Sequence, residues 1–371
     1  MDFGLVSYLS GSITVQFGRP VAMHREDELM THAIPVIDLR AASAGNTSQL
    51  GAVRAATEEL GVLQVINHGV PPDLIGDLSA RTARLLGLPQ AEKAKLASPH
   101  PHRGWRQWPD DFGRLELERF NVARYDDIGS ARAAGLDEEY LGLYAHANVW
   151  PTDDPGLREV AFRYIEASLG LAKRMLWLYG RAQGLRENTF ALGSLPHLRL
   201  TVNEYPTWAY PEAPDEDKLL LLEHVDDSAV TILAQQGDYE GLQIQAPDGT
   251  WIAVPVVPGA LQVFSGTLLA RWTGGRLRPG RHRVVAGGTV TRRSTAVFVY
   301  PELQTVVEPL APFASVASSA AGSELGPVLV WDHVKDRVAD YLAAYGRPEQ
   351  IAAWRDGTPY VADLAENSAG R

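Results

Sequence analysis

The sequence predicts a mainly β protein, a barrel or sandwich of short strands with flanking helices. Two features support that expectation. From Leu198 onward, eight short runs of β-branched and aliphatic residues recur, separated by Gly, Pro or Asp. Strands this short and this closely spaced suit an antiparallel barrel or sandwich and not a parallel α/β sheet. Helical periodicity lies instead ahead of that point, and again in one segment near the C-terminus.

The elements follow in chain order. Residues 1–33 show no clear period, include the polar run from His24 to Glu28, and read as an N-terminal extension. They have neither the basic start nor the continuous apolar stretch of a signal peptide. Residues 34–39 form a short apolar run suited to an edge strand, because Pro35 has no N–H to give to a ladder. A helix is expected over residues 48–60, with Leu50, Val53, Ala56 and Leu60 along one face. Gly61 stops it, residues 62–66 make a second strand, and Asn67 to Pro71 turn the chain into a helix over residues 72–86. The stretch from His100 to Asp127 is aromatic and basic without clear period. It reads as a lid on the barrel rim or as a substrate-recognition element, with Arg103, Trp105 and Arg106 as substrate contacts and Arg119 and Asn121, on the apparent strand that follows, as weaker candidates. A long helix is expected over residues 156–185. The eight strands follow at 198–205, 219–223, 229–234, 241–245, 251–256, 260–264, 283–285 and 294–300, and a last helix at 329–345. The implied organisation is an extension (1–33), a helical α/β region (34–190), a β core with its C-terminal helix (191–345) and a tail (346–371).

Composition narrows the function. Across 371 residues, 34 Lys and Arg stand against 45 Asp and Glu, a net charge of −11. A chain so acidic, with no local basic patch, disfavours a phosphate backbone as partner. There is no cysteine, which removes disulfides, zinc ribbons, iron–sulfur clusters and thiol nucleophiles together. Any metal must therefore sit on nitrogen and oxygen. No apolar run approaches the roughly 20 residues that span a bilayer. A soluble cytoplasmic protein acting on a small molecule is the expectation, with no implication for oligomeric state.

One constellation has metal chemistry in it. His224-Val225-Asp226 follows the apolar run Leu219 to Leu222. In extended chain, residues i and i+2 point the same way, so His224 and Asp226 can present an imidazole and a carboxylate to one point. His282, beside Arg283-Val284-Val285, offers a third ligand. Two histidines and a carboxylate on one face leave positions open for a co-substrate and O2, the arrangement of non-haem Fe(II) oxygenases. Arg292 and Ser294 are again i and i+2. They offer a guanidinium fork and a hydroxyl for a carboxylate, while Arg293 should point away. A dicarboxylic keto acid suits both ends, since it can chelate the metal and give its far carboxylate to Arg292.

The sequence resembles the isopenicillin N synthase-like family of 2-oxoglutarate/Fe(II)-dependent oxygenases over about residues 34 to 345. Residues 34–39 (IPVIDL) and 61–71 (GVLQVINHGVP) are similar to its N-terminal strand and its NHGVP segment. Residues 148–151 (NVWP), 200–206 (LTVNEYP) and 224–243 (HVDDSAVTILAQ…GLQ) match further motifs in order, as do 258–285 and the pair Arg292-x-Ser294. Ser265-Gly266-Thr267 departs from the family pattern, which has Gly-Asp there.

The resemblance implies a distorted double-stranded β-helix (jelly roll, cupin-like), with iron at its open end. It implies Fe(II), 2-oxoglutarate and O2 as cofactor and co-substrates. It also implies Arg292 and Ser294 on the 2-oxoglutarate carboxylate, Tyr205 or Asn203 touching the co-substrate, and Phe298 lining the pocket. Hydroxylation is the expected reaction, with desaturation or cyclisation as variants, in specialised metabolism such as antibiotic biosynthesis. A carboxylate at position 226 argues against a halogenase. Three alternatives differ in class: an Fe(II) oxidase or cyclase of the same fold without 2-oxoglutarate, a non-catalytic binding module, and a structural zinc protein. Of the remaining histidines, His68 reads as structural, and His146, His197 and His333 as surface or supporting groups.

Overall fold

The structure, a computed structural model, describes residues 33–109, 114–208, 218–237, 240–287, 291–313 and 325–344. The expected tail and, apart from residue 33, the expected extension lie outside the described residues.

The first strands are β1 (Val36–Asp38), β2 (Val62–Ile66), β3 (Gly104–Pro109), β4 (Leu115–Ala123), β5 (Leu198–Tyr205) and β6 (Leu219–His224). They continue with β7 (Val230–Gln236), β8 (Leu242–Gln245), β9 (Trp251–Ala253), β10 (Leu261–Ser265), β11 (His282–Val285) and β12 (Arg292–Val299). Eight form one sheet in the order β1-β2-β10-β7-β12-β5-β4-β3, and four form a second in the order β6-β11-β8-β9. β1 lies at the sheet edge, as Pro35 leads one to expect.

Period-2 alternation sorts the large sheet's side chains into two cores. Leu198, Leu200 and Val202 of β5, Val230 and Ile232 of β7, and Val297 and Val299 of β12 belong to one apolar cluster. That cluster also holds the buried faces of α2 (Thr47–Glu59), α3 (Pro72–Leu86) and α6 (Gly156–Ala182). Their neighbours Tyr205, Leu233, Ala296 and Phe264 face the other way, onto Leu220, Leu242, Ile244 and Val284 of the small sheet. The result is a β-sandwich with helices on its outer side. Each fully buried Leu, Ile or Val contributes roughly 1.5–3 kcal/mol. The largest single contribution from one element comes from α6, which buries Leu157, Tyr164, Ile165, Leu171, Met175 and Leu178 among others.

In the aromatic and basic stretch, the apparent strand that carries Arg119 and Asn121 is present as β4, while its partner β3 was not expected. The two form an antiparallel hairpin that extends the large sheet beyond β5. No period shows in the sequence because β4 is covered on both faces. Leu117, Phe120 and Val122 are buried, and so are Glu118 and Asn121, each with a polar partner. Glu118 takes two hydrogen bonds from Lys93 Nζ at 2.7 Å, an ion pair almost wholly withdrawn from water. Lys93 is supplied by α4 (Gln90–Ala94). That helix, α1 (Leu39–Ser43), α5 (Ile128–Ala133) and α7 (Thr267–Trp272) were not expected, because five or six residues are too few to show a helical period. The last helix, α8 (Val330–Ala344), agrees with the expectation within a residue at each end.

Gly61 joins α2 to β2 at φ +69, and a side chain there would come within 2.5 Å of the Arg278 carbonyl and the Gly280 amide. The stop after the helix is therefore also a close contact with the segment leading to His282.

Candidate metal centre and co-substrate pocket

A cavity of about 410 Å³ opens between the two sheets, lined by residues of β4, β5, β7, β11 and β12 together with α7 and α8. His224 is the last residue of β6 and His282 the first of β11, and the antiparallel register sets them directly opposite one another. Asp226 lies two residues beyond the end of β6, 5% exposed. Its Oδ1 is 3.8 Å from His224 Nε2 and 3.9 Å from His282 Nε2. Each imidazole directs its other nitrogen to a carbonyl: His224 Nδ1 to Leu222 O at 2.8 Å and His282 Nδ1 to Gly280 O at 2.9 Å. Nδ1 is therefore the donor in both rings, and both Nε2 lone pairs are left facing the carboxylate. Burial, and then His282 alongside, bring the His224 ring down to about 4, so it stays neutral as a ligand must.

The donor set fits a divalent metal. The three ligand atoms lie within 4.8 Å of one another. The spacings of 3.8 and 3.9 Å from Asp226 Oδ1 to the two Nε2 atoms leave room for one ion between them, first-row metal bonds being roughly 2.0–2.2 Å. Asp226 is held from behind, where its carbonyl accepts the Thr267 amide at 2.9 Å. That contact needs Gly266, since a Cβ there would stand 2.0 Å from the Ser228 carbonyl.

Deeper along β12, Arg292 is 1% exposed and Ser294 2%. Arg292 pairs in register with Tyr205 and Ser294 with Asn203, so all four side chains share the cavity face. The Arg292 guanidinium lies 5.1 Å from the Tyr205 ring and donates to Gln235 Oε1 at 3.0 Å. Asn203 Nδ2 donates to Ser294 Oγ at 3.4 Å, and Asn203 Oδ1 accepts from Arg119 Nε at 2.7 Å. Arg293 points away and pairs with Glu204 on the opposite face. This pole suits a carboxylate, with a guanidinium, a hydroxyl and a phenol converging on it.

Two family models match the chain. Residues 34–153 match the N-terminal region of the non-haem dioxygenase in morphine synthesis, and residues 198–301 match the 2OG-Fe(II) oxygenase superfamily. The chain belongs to the 2OG-Fe(II) oxygenase superfamily. Validamycin A dioxygenase of Streptomyces hygroscopicus subsp. limoneus is 31% identical over 273 residues, covering 69% of this chain and 73% of that protein. Feruloyl CoA ortho-hydroxylase 2 of Arabidopsis thaliana is 30% identical over 290 residues, covering 75% and 72%. Among solved structures, the dioxygenase for auxin oxidation in rice superposes with a TM-score of 0.62. It is 23% identical, covers 83% of this chain and 96% of its own, and bears on the fold alone. The oxygenase is thus a 2-oxoglutarate-dependent Fe(II) dioxygenase on a double-stranded β-helix, with Fe(II), 2-oxoglutarate and O2 as its cofactor and co-substrates.

Of the oxygenase's other expected contacts, Phe298 lines the cavity. Arg103, Trp105 and Arg106, expected as substrate contacts, are not among its lining residues. Arg103 is buried and donates to the carbonyls of His102 and Leu143, both at 2.9 Å. Trp105 belongs to the core on the helix side of the sheet. Arg106 Nη2 donates to the Ser98 carbonyl at 2.7 Å. Trp105 and Arg106 are neighbours on β3 and face opposite ways, Trp105 into the helix-side core and Arg106 back onto the Ser98 carbonyl of the preceding loop. His102, on the same loop, does line the cavity. His68 is structural, with its ring between the Gly259 carbonyl and the Val70 amide. Asp227 accepts the Tyr300 hydroxyl at 2.8 Å, and its carbonyl meets His333 Nε2 at 2.7 Å.

Sequence reading did not single out Arg199, Thr201, Arg271 or Arg337, all of which line the cavity. Arg199 and Thr201 continue the alternation of Asn203 and Tyr205 along β5, a signal that was available. Arg271 and Arg337 arrive on α7 and α8, and only the tertiary fold brings those helices to the rim. Among the described residues, no helix is long and apolar enough to cross a membrane.

Proposed function

We propose that His224, Asp226 and His282 hold the iron, that Arg292, Ser294, Tyr205 and Asn203 hold 2-oxoglutarate, and that the enzyme hydroxylates a small organic molecule of specialised metabolism. The observation that supports this most directly is the convergence of two Nε2 lone pairs and one buried carboxylate oxygen at one end of a cavity whose other end is a buried guanidinium. Relatives named for validamycin A, feruloyl-CoA and flavanones support a small-molecule substrate.

The chain's residues bind and orient. His224 and His282 are fixed in the Nε2-accepting tautomer by their carbonyl partners, which sets ring direction before any metal arrives. Arg292 takes the far carboxylate of 2-oxoglutarate in a fork, with Ser294 as a further donor, and so aims the keto end at the triad. Phe264 and Leu233 on the cavity wall exclude water from the space between. When bound, the iron and keto acid supply an oxidation in which 2-oxoglutarate, O2 and a substrate C–H bond become succinate, CO2 and an alcohol.

The test is anaerobic. Protein loaded with Fe(II) and then given 2-oxoglutarate should show a visible metal-to-ligand charge-transfer band, weakened in Arg292→Gln at sub-saturating co-substrate and absent in Asp226→Ala. Undiminished bands in both variants would overturn the assignment of these residues.

A further inference from the structure

The cavity has a second cationic pole. Arg199 lies on the same face of β5 as Tyr205, six residues earlier and about 20 Å along the strand. The five-carbon chain of 2-oxoglutarate, with C–C bonds of about 1.5 Å, spans roughly 6 Å. A co-substrate held by Arg292 therefore leaves Arg199 untouched.

Arg199 is placed to meet something else. Its guanidinium stacks 4.3 Å from the Phe298 ring, its partner in register on β12. Among the described residues it makes no ion pair. The carboxylates lining the cavity are Asp226, in the triad, and Asp227, which accepts the Tyr300 hydroxyl. Five arginines line the same walls: Arg119, Arg199, Arg271, Arg292 and Arg337. Behind Arg199 stands buried Arg103, whose hydrogen bonds go to main-chain carbonyls. Burial brings Arg103 down to about 10, and Arg199 adds to that effect. His102, on the wall beside them, is driven well below its usual value by burial first and by Arg199 next, so it stands there as a neutral ring. Positive charge thus gathers around Arg199, which has no ion pair of its own among the described residues, an arrangement that favours binding an anion. The pole shares its cavity with the reaction centre, since Arg199 lines the same walls as His224, Asp226 and His282.

We propose that Arg199 anchors a carboxylate of the substrate, so that the substrate is a small monoanionic organic acid with its reacting carbon beside the His224–Asp226–His282 centre. This rests on the reading that Arg292 holds 2-oxoglutarate. A single guanidinium flanked by an aromatic ring and a neutral imidazole balances one negative charge. Phe298 then packs against the apolar body of the acid.

The experiment uses the full chain with Fe(II) and saturating 2-oxoglutarate under anaerobic conditions, which keeps added acids out of the Arg292 end. Calorimetry would measure the binding of phenylacetate, 3-phenylpropionate and cyclohexanecarboxylate beside their primary amides and phenyl phosphate. At least one acid should bind about ten-fold tighter than its amide. Arg199→Gln should lose about 10–100-fold of that acid's affinity with the amide unaffected, and Arg199→Lys should recover part of it. Equal affinity for acid and amide, no acid bound, preference for phenyl phosphate, or an unaffected Arg199→Gln would each overturn the proposal. The charge-transfer band reports the Arg292 end separately in the same samples. Its loss in wild-type protein would count against the co-substrate reading, whereas its persistence without acid binding would count against this one alone.

Discussion

His224 and His282 face each other as directly paired residues of β6 and β11, with ring centroids 4.2 Å apart and planes tilted by 53°. Two imidazoles this close repel if both are charged, and each holds a carbonyl through Nδ1. The pair is built to be neutral and to share a cation, with Asp226 supplying the negative charge.

Replacing either histidine or Asp226 by alanine should therefore abolish metal binding without unfolding the sheet. Bound iron after gel filtration should fall from about one per chain to background, with the far-ultraviolet circular dichroism of the apoprotein unchanged. Full iron occupancy in Asp226→Ala would place the metal elsewhere.

Arg292 and Arg293 are adjacent in sequence and opposite in role. Arg292→Gln should raise the 2-oxoglutarate concentration needed for half-maximal succinate formation about 10–100-fold, the loss of a charge-assisted fork. Arg293→Gln removes only the pair with Glu204 on the other face and should leave that concentration within about two-fold. Similar effects from both would contradict the alternation of β12.

Gly266 admits no side chain. Gly266→Ala would set a methyl group 2.0 Å from the Ser228 carbonyl and push α7 away, and with it the Thr267 amide that holds Asp226. The expected outcome is a loss of iron affinity larger than the loss of melting temperature. Wild-type iron affinity in the variant would show that the Asp226 backbone tolerates the shift.

Lys93 and Glu118 test the hairpin. Glu118→Ala strands a buried ammonium and should cost about 3–5 kcal/mol, read by urea denaturation. Replacing both, with Lys93→Met and Glu118→Leu, should recover most of that. An equally unstable double variant would mean that packing and not charge sets the cost.

Stability should also fall on mild acidification. His197 is brought down to about 3 by burial first, with Arg103 and Arg199 adding, and it meets the Tyr144 hydroxyl at 3.1 Å. The folded chain keeps this ring neutral. As pH drops below about 6.5 the unfolded chain takes up the proton first, so stability is full above that pH and declines towards pH 3 at up to about 1.4 kcal/mol per pH unit. Urea midpoints of the metal-free protein between pH 7.5 and 5 should show the decline, and His197→Phe should remove one proton's share. An identical slope in that variant would remove His197 from the account.

The sequence made some of this legible for clear reasons. Where one sheet face is apolar and the other lines the cavity, alternation alone separates Arg292 and Ser294 from Arg293, and His224 and Asp226 from their neighbours. It fails where both faces are covered. β4 looked irregular because Glu118 and Asn121 are buried beside Leu117 and Phe120. Arg103, Trp105 and Arg106 drew attention as a dense aromatic and basic run, yet their partners are main-chain carbonyls and helix-side core residues that no spacing reveals. Arg199 was passed over for the opposite reason, being a lone charge in an apolar strand, although its parity with Tyr205 places it on the cavity side.

That parity has an evolutionary consequence. On the proposed assignments, co-substrate and substrate are gauged along a single strand, so a change at position 199 leaves Asn203 and Tyr205 in place. A change at Arg199 alters which molecule is accepted, while the oxidising apparatus stays as it is. One strand thereby lets a lineage of such enzymes diversify its clientele a residue at a time.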